Sequence, residues 1–385
     1  MRLLAPRVQP SVRADLQQHF SAAEIERGAR FARPQLGLAL ARASVDLAAL
    51  AALTRRPPRW LRRGRSRPAR ASAASGAGLV VALALPPLPL QAMARRRAIA
   101  VGLATQSWRG WAIDLGKATA IEAVLAGAAA SGVTALTRRY PRGWWLLAGA
   151  GSVAVGALIA AIAPVVLDPV FNDFDPLGEG PLRADVLELA GAAGVKVGEV
   201  YSVDASRRTT AANAYVTGLG PTKRVVLFDT LIDRYDRDQV RVVVAHELAH
   251  VRHRDVLRSV AYAGLVAPAA ALSIQRLSWS LSRERGTPAA LPALALAATL
   301  VSAPVAVIGN RLSRAVERRA DAYSLELTGE ADAFVSFERQ IALQNVADLD
   351  PPGWITALLA THPATAERIG LALSYRTPGP TPASS

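Results

Sequence analysis

Residues 246–250 read His-Glu-Leu-Ala-His, and this short stretch determines what the rest of the chain has to supply. In an α-helix, positions i and i+4 lie within roughly 40° of each other around the axis, so His246 and His250 can bind the same Zn²⁺. Glu247 projects beside this pair and can accept a proton from a water molecule on the metal. The stretch therefore predicts a helix that carries two zinc ligands and a general base.

A catalytic zinc ion needs three protein ligands and one open coordination position. The chain contains no cysteine, so the third ligand must be a histidine, an aspartate or a glutamate. Farther along the chain, Glu317 and Asp321 stand one helical turn apart. We expect Glu317 to complete the zinc site and Asp321 to accept a hydrogen bond from a ligand histidine, which would fix its tautomer. The alternative is that both are solvated members of an arginine-rich helix face.

Together, H-E-x-x-H and the later S-R-x-x-E-x-x-A-D at 313–321 resemble the integral-membrane metallopeptidase family of the type I CAAX prenyl endopeptidases and the bacterial heat-shock membrane protease. Residues 213–231 are similar to that family's segment before the catalytic helix, and residues 361–369 match its H-P-x-x-x-x-R element. Residues 106–117 carry Gln, Trp, Asp and Lys at the family's spacing, and residues 169–177 resemble its entry into the soluble part. The resemblance covers nearly the whole chain and favours the prenyl-endopeptidase branch.

Composition independently indicates a membrane protein, because 51% of the residues are apolar and the mean hydropathy is +0.21. Six stretches approach the roughly 20 apolar residues that span a bilayer. They are residues 36–53, 76–93, 115–136, 144–167, 256–275 and 288–309. We predict a mainly α-helical, polytopic membrane protein, with a bundle of about six transmembrane helices and a small α+β, zincin-like catalytic domain. The resemblance implies that the helices form a barrel around an aqueous chamber.

Charged residues within these stretches indicate what their helices face, because a charge inside a membrane is costly unless it contacts protein or water. Arg42, Asp46 and Glu122 therefore predict an internal polar face, and the alternative is that their helices are short and interfacial. Two membrane crossings between His250 and Glu317 return the chain to the side of the membrane on which it started. Both ligand-bearing helices are thus expected to meet at one membrane interface.

We divide the chain into three parts. Residues 1–167 form a membrane domain with four spans, residues 168–375 form a metallopeptidase domain that includes the last two spans, and residues 376–385 form a disordered tail rich in Pro, Ser and Thr. Residues 1–33 contain no apolar stretch of the kind found in cleavable signal peptides. We also find no counterpart of the additional amino-terminal span of the family's eukaryotic members, which suggests a bacterial form.

The main soluble segment is expected between the fourth and fifth spans. Its patterns predict one amphipathic helix, three short strands and a turn. These are the helix at 181–193, the strands at 197–203, 212–216 and 225–228, and the turn at 218–221. Asp236 and Gln239 resemble a capping box at the start of the catalytic helix.

Substrate contacts are expected along one of these strands. An edge strand containing Asn213, Ala214 and Tyr215 could align an extended peptide beside the zinc by β-augmentation, and the alternative is ordinary sheet pairing. In the H-P element, His362 could donate a hydrogen bond to the oxyanion of the reaction, with Arg368 supporting the substrate or the fold. The alternative for His362 is a plain helix-entry role next to a proline.

The chain is strongly basic, with a net charge of +15. Eight arginines fall within residues 55–70, but Trp60 is the sole aromatic residue there that could stack on a base, so we expect no nucleic-acid partner. Attraction to anionic lipid headgroups explains this loop more simply. The arginines near the spans are almost evenly divided between the two faces and leave the orientation open. By resemblance alone, the catalytic face is cytoplasmic in a bacterial membrane.

The predicted function is that of a membrane zinc endopeptidase with one Zn²⁺ per chain. Water activated by the metal and by Glu247 would hydrolyse peptide bonds of membrane-associated or CAAX-like substrates. A second hypothesis is a zinc-stabilised membrane scaffold or chaperone without hydrolytic activity. A structural zinc site has no use for Glu247 and usually has four protein ligands, which favours the enzyme. We find no internal repeat of the kind that a transporter would show.

Overall fold

The computed structural model describes residues 12–62, 67–218 and 223–376. Its amino-terminal half consists of helices, which are α1 (Ala22–Arg55), α2 (Pro68–Ala84), α3 (Leu88–Ala100), α4 (Trp108–Arg139) and α5 (Trp144–Val166). Of these, α1, α4 and α5 are each long and apolar enough to cross a membrane, whereas α2 and α3 form a pair bent by 52°. Consecutive prolines, Pro86 and Pro87, lie at the bend, where proline interrupts helical hydrogen bonding.

Because of this bend, one predicted span is wrong as a single straight helix. Residues 76–93 do not form a straight transmembrane helix, because they cross from α2 into α3. Arg42 and Asp46 lie 4.0 Å apart on α1, where Arg42 is exposed and Asp46 is half-buried, and Glu122 of α4 is exposed. None of the three side chains is buried against protein, and the internal polar face stays a prediction.

The soluble segment follows α5 directly. In chain order it contains α6 (Asp168–Phe171), β1 (Phe174–Pro176), α7 (Pro181–Ala192), β2 (Glu199–Val203), β3 (Ala214–Thr217), β4 (Arg224–Phe228), α8 (Asp229–Ile232) and α9 (Arg237–Arg252). The strands form one sheet in the order β1-β2-β4-β3, in which β2 and β4 are parallel and the outer pairs are antiparallel. The three predicted strands and the helix are confirmed to within two residues at each end. The sequence reasoning missed β1, which is three residues long and ends in proline.

The core of this segment lies between the sheet, α7 and α9. Val225 and Leu227 from β4 are completely buried, as are Val244 and Leu248 from α9. The predicted capping box is present, since the Asp236 side chain accepts from the Gln239 amide and the Gln239 side chain accepts from the Asp236 amide. Packing and capping together fix the catalytic helix against the sheet.

The rest of the chain returns to the membrane and then to the soluble side. It comprises α10 (Asp255–Leu281), α11 (Leu291–Thr328), α12 (Ala331–Gln344), α13 (Gly353–Leu358) and α14 (Thr365–Arg376). The described residues thus contain five helices that can cross a membrane, or six spans if the bent pair counts as one, as predicted. Large apolar side chains such as Val124 and Leu265 are more than 70% exposed on them, which suits contact with lipid. The chain is a multi-pass membrane protein.

Two crossings separate the two helices expected to carry the ligands. The helices α10 and α11 pack against each other, and α11 then packs against α9. Ser324 of α11 donates a 2.7 Å hydrogen bond to the Val242 carbonyl of α9. The two helices expected to carry the ligands therefore meet in the structure, as the prediction of two intervening crossings requires.

Three sequence predictions fall wholly or partly outside the described residues. The structure describes the predicted turn at 218–221 only at residue 218. It describes the predicted tail at 376–385 only at residue 376, and the basic loop at 55–70 except for residues 63–66. The beginning of the chain is described from residue 12 onward.

A buried carboxylate supports the position of the catalytic helix. Asp185 of α7 is 2% exposed and forms ion pairs with Arg237 and Arg241 of α9, at 2.5 Å to Arg237 Nη2 and 3.3 Å to Arg241 Nη1. The Arg237 hydrogen bond is the main reason that the pKa of Asp185 lies below its usual range. Its contribution to stability is therefore complete above the unfolded-state pKa of about 3.9 and is lost as the pH falls through the lower folded value.

We expect Asp185→Asn to lower the free energy of unfolding at pH 7 by about 1.5 to 3 kcal/mol, because charged hydrogen bonds to both arginines weaken. The measurement is thermal unfolding in detergent between pH 7 and pH 3, with the exposed Asp175→Asn as the control. The difference between wild type and Asp185→Asn should shrink as the pH falls below 4. A difference that is constant over this range would show that the ion pairs do not stabilise the fold.

Candidate metal centre

Three side chains from two helices converge at the contact between α9 and α11. The Nε2 atoms of His246 and His250 lie 3.2 Å apart, on one face of α9. Glu317 Oε2 lies 3.3 Å from His246 Nε2, and Glu317 Oε1 lies 3.7 Å from His250 Nε2. A tetrahedral zinc ion about 2.1 Å from each ligand separates the ligand atoms by about 3.4 Å. The spacing and the N, N, O donor set therefore fit a zinc ion with one position left open.

Asp321 lies behind one of these histidines. Its Oδ1 atom is 2.9 Å from His246 Nδ1, the ring nitrogen that faces away from His250 and Glu317. Asp321 is completely buried and also accepts hydrogen bonds from Arg368, at 2.9 Å from Nε and 2.6 Å from Nη2. It occupies the place expected of a carboxylate that orients a ligand histidine.

The second histidine has a carboxylate partner that the sequence reasoning missed. Asp255 Oδ2 lies 3.0 Å from His250 Nδ1, and its other oxygen accepts from Arg319, which is also buried. Arg254, between α9 and α10, has φ of 56°, and this left-handed residue turns the chain so that Asp255 faces back toward α9. The five-residue spacing from His250 to Asp255 was the available signal, but interpreting it required the geometry of the turn.

The charges around the site favour a cation. Burial lowers the pKa of His246, but Asp321 and Glu317 outweigh this effect and raise it to about 10, so the two carboxylates hold positive charge at this position. Glu247 is on the same helix, and its pKa is raised, chiefly by burial and partly by the nearby Glu317 carboxylate. A divalent cation would offset that negative charge and favour the ionised form of Glu247.

A cavity of about 570 Å³ opens onto these residues. Its lining includes Glu247 and the two ligands His246 and Glu317, together with Asn213 and Ala214 at the start of β3. Because β3 is an edge strand of the described sheet, its free side is available for pairing. Tyr215 does not line the cavity, and its hydroxyl lies 3.3 Å from Asp168 Oδ2.

The two residues of the H-P element occupy different environments. His362 is at the cavity wall, with its side chain 63% exposed and its Nδ1 atom 2.8 Å from Glu317 Oε2. The Arg368 side chain is only 17% exposed, and its guanidinium is held by Asp321 and by Glu338, whose Oε1 lies 2.5 Å from Nη1. Of the two roles considered for Arg368, these contacts favour support of the fold.

Glu338 is a further residue that sequence reasoning missed. It is 2% exposed, and burial raises its pKa to about 7. It comes from the middle of α12, where no motif marks it, so only the structure brings it to Arg368. His253, three residues after His250, instead directs Nδ1 to the Ala249 carbonyl at 2.8 Å and packs edge-on against Tyr323.

Comparison with known proteins agrees with this geometry. The family model for peptidase family M48 matches residues 176–376, which is more than half of the chain. The chain belongs to peptidase family M48. A second model, described as the CAAX prenyl protease N-terminal region with five membrane helices, matches residues 100–173.

Proteins similar to this chain come from bacteria and yeast. The chain is 35% identical over 243 residues to the uncharacterized metalloprotease YhfN of Bacillus subtilis, covering 61% of this chain and 57% of the relative. It is 27% identical over 273 residues to the probable CAAX prenyl protease 1 of Schizosaccharomyces pombe, covering 69% of this chain and 57% of the relative. The match thus spans little more than half the length of these relatives.

A solved structure extends the likeness of fold to nearly the whole chain. The crystal structure of S. mikatae Ste24p superposes with a TM-score of 0.82, covering 94% of this chain and 92% of that one. The sequences are 20% identical, so this comparison concerns the fold. It confirms the predicted combination of a transmembrane helix assembly with a small α+β domain.

We expect purified protein to bind about one Zn²⁺ per chain and His246→Ala, His250→Ala and Glu317→Ala each to lose most of it, because two remaining ligands hold zinc weakly. The measurement is metal content by mass spectrometry after dialysis against a weak chelator. His253→Ala is the matched control and should retain zinc. Full zinc content in Glu317→Ala would remove this residue from the ligand set.

Loss of a carboxylate that orients a ligand histidine should reduce zinc binding less than loss of a ligand. Asp321→Asn and Asp255→Asn are each expected to weaken zinc affinity by about 10- to 100-fold, because the amide cannot match the carboxylate as an acceptor for the imidazole N–H. Competition with a chromophoric chelator measures the affinity, and the exposed Asp233→Asn is the control. Wild-type affinity in both variants would mean that neither carboxylate acts through the ligand histidines.

Proposed function

We propose that this protein is a membrane-embedded zinc endopeptidase that cleaves peptide bonds in membrane-associated or CAAX-like substrates. The observation that carries the proposal is the position of Glu247 beside a three-ligand site, on the wall of a cavity large enough for a peptide segment. His246, His250 and Glu317 would hold one zinc ion per chain. Family membership and the multi-pass membrane fold support the same conclusion.

Each residue of the site has a separate task. Zinc, when bound, lowers the pKa of water toward about 7 and polarises a carbonyl group. Glu247 accepts the proton of the attacking water and delivers it to the leaving amine, since its carboxylate lines the cavity without belonging to the ligand set. His362, exposed at the cavity wall, stabilises the negative charge that develops on the carbonyl oxygen.

The substrate chain is expected along β3. Asn213 and Ala214 line the cavity at the edge of the sheet, so an extended peptide that pairs with this edge would run past Glu247. Tyr215 would contribute only its backbone to peptide pairing along β3, because its hydroxyl is directed to Asp168. The match of residues 100–173 to the CAAX prenyl protease N-terminal model and the name of the S. pombe relative, probable CAAX prenyl protease 1, support a CAAX-like substrate.

The similarity to the B. subtilis protein supports a bacterial membrane location, and the resemblance described above supports a cytoplasmic catalytic domain. A zinc-stabilised scaffold is the alternative function. The open cavity beside the three ligands favours the enzyme, because a structural zinc usually has a closed shell of four protein ligands.

Glu247→Gln separates catalysis from metal binding. The variant should keep zinc and the fold but lose at least two orders of magnitude in cleavage rate, because the amide cannot accept a proton from water. We would measure zinc content and cleavage of fluorogenic peptides, with and without a farnesylated CAAX tail, in detergent. Glu188→Gln, an exposed change on α7, is the control. Cleavage near the wild-type rate by Glu247→Gln would contradict the proposed mechanism.

A further inference from the structure

A second cavity, of about 730 Å³, lies where the membrane helices meet the soluble domain. Arg27 of α1 and Gly102, just after α3, form its membrane side. Arg234, just before α9, and Arg339 of α12 form its soluble side. We call this cavity the junction cleft.

The junction cleft is separate from the catalytic cavity, and α12 is the wall between them. Phe334, Phe337 and Glu338 of this helix line the catalytic cavity. Ser336 and Arg339, on the other face, line the junction cleft. A ligand in the cleft would therefore contact the helix that carries Glu338 without entering the catalytic cavity.

The lining of the cleft is cationic. Three arginines line it, and no aspartate or glutamate does. Arg339 is paired with Glu24 at 2.9 Å, but Arg27 and Arg234 form no ion pair with any residue in the described part of the chain. Two exposed guanidinium groups thus face the same space with their charges unneutralised.

Hydrogen bonds hold the soluble wall of the cleft in place. Gln340 donates to the Arg234 carbonyl at 2.7 Å, and Gln239 donates to Ser336 Oγ at 2.8 Å. Gln239 is buried and is also part of the capping box of α9. The backbone of Arg234 is therefore fixed by the same network that fixes the catalytic helix, which lowers the entropy lost when a ligand binds there.

We propose that the junction cleft binds the phosphate group of an anionic ligand through Arg27 and Arg234. Guanidinium groups pair with phosphate in a bidentate manner and retain their charge at any physiological pH. Arg27 precedes the predicted apolar stretch at 36–53 by nine residues, about 14 Å along α1, so headgroups at the membrane surface would lie within reach of the cleft. The phosphate could belong to a lipid headgroup or to a soluble phosphate ester.

Titration of the full-length protein in detergent at constant ionic strength tests the proposal. The probes are inorganic phosphate, dihexanoyl phosphatidic acid and, for comparison, zwitterionic dihexanoyl phosphatidylcholine. A ligand of the folded state raises the unfolding temperature. We expect phosphatidic acid, inorganic phosphate or both to raise it in wild type, with phosphatidylcholine much weaker. A response to phosphatidic acid alone identifies a lipid source, and an equal response to inorganic phosphate identifies a soluble one.

Two double variants localise the binding. Arg27→Gln/Arg234→Gln should weaken the phosphate affinity by about tenfold or more, because two charged hydrogen-bonding groups are lost. The matched control is Arg96→Gln/Arg109→Gln, which removes the same charge from exposed positions near the same membrane face and should leave the affinity unchanged. Arg27→Lys/Arg234→Lys keeps the charge and should lose only part of the affinity, and it replaces the glutamine variant if that one does not fold.

The outcomes that overturn the proposal are specific. They are no response of wild type to either phosphate probe, and equal affinity in wild type and Arg27→Gln/Arg234→Gln. Equal losses in the glutamine variant and its control would show general attraction of anions to a basic surface. Because the readout is binding, the result does not depend on peptidase activity.

Discussion

The contact between α9 and α11 at His246 is the constraint on which the rest of the structure depends. Glu317 and Asp321 reach opposite nitrogens of this imidazole, at 3.3 Å and 2.9 Å. The two helices are separated in the chain by two passes through the membrane. The arrangement of the spans, the length of α11 and the packing of α9 on the sheet must therefore all be correct for these three side chains to meet.

Charge burial explains why this contact is surrounded by further pairs. A buried, unpaired ion costs several kcal/mol, so the completely buried Asp321 needs partners besides His246. Arg368 of α14 supplies one, and Glu338 of α12 contacts the same guanidinium from its other side. The result is a chain of ion pairs that ties α11, α12 and α14 behind the metal centre. The same logic applies to His250, where Asp255 is balanced by Arg319.

The sequence predicted those parts of the molecule that depend on local spacing. His246 and His250 at i and i+4, Glu317 and Asp321 one turn apart, and the capping box before α9 all appear where helical geometry requires them. Hydrophobic length found the spans but could not show that α2 and α3 bend at consecutive prolines. Asp255 and Glu338 were missed because their positions depend on a left-handed turn and on tertiary packing. The role of Arg368 stayed open for the same reason, since its partners come from two other helices.

X-ray absorption at the zinc edge of the zinc-loaded, full-length protein would identify the ligands of the metal centre. We expect two imidazole nitrogens at about 2.0 to 2.1 Å from the zinc, with the remaining ligands being oxygens at about 2.0 to 2.2 Å, and a total coordination of four or five. Glu317→Ala, reloaded with excess zinc, should keep the two imidazoles. A shell with three or more imidazoles, which would require His253 or His362 as a ligand, would contradict the assignment of Glu317.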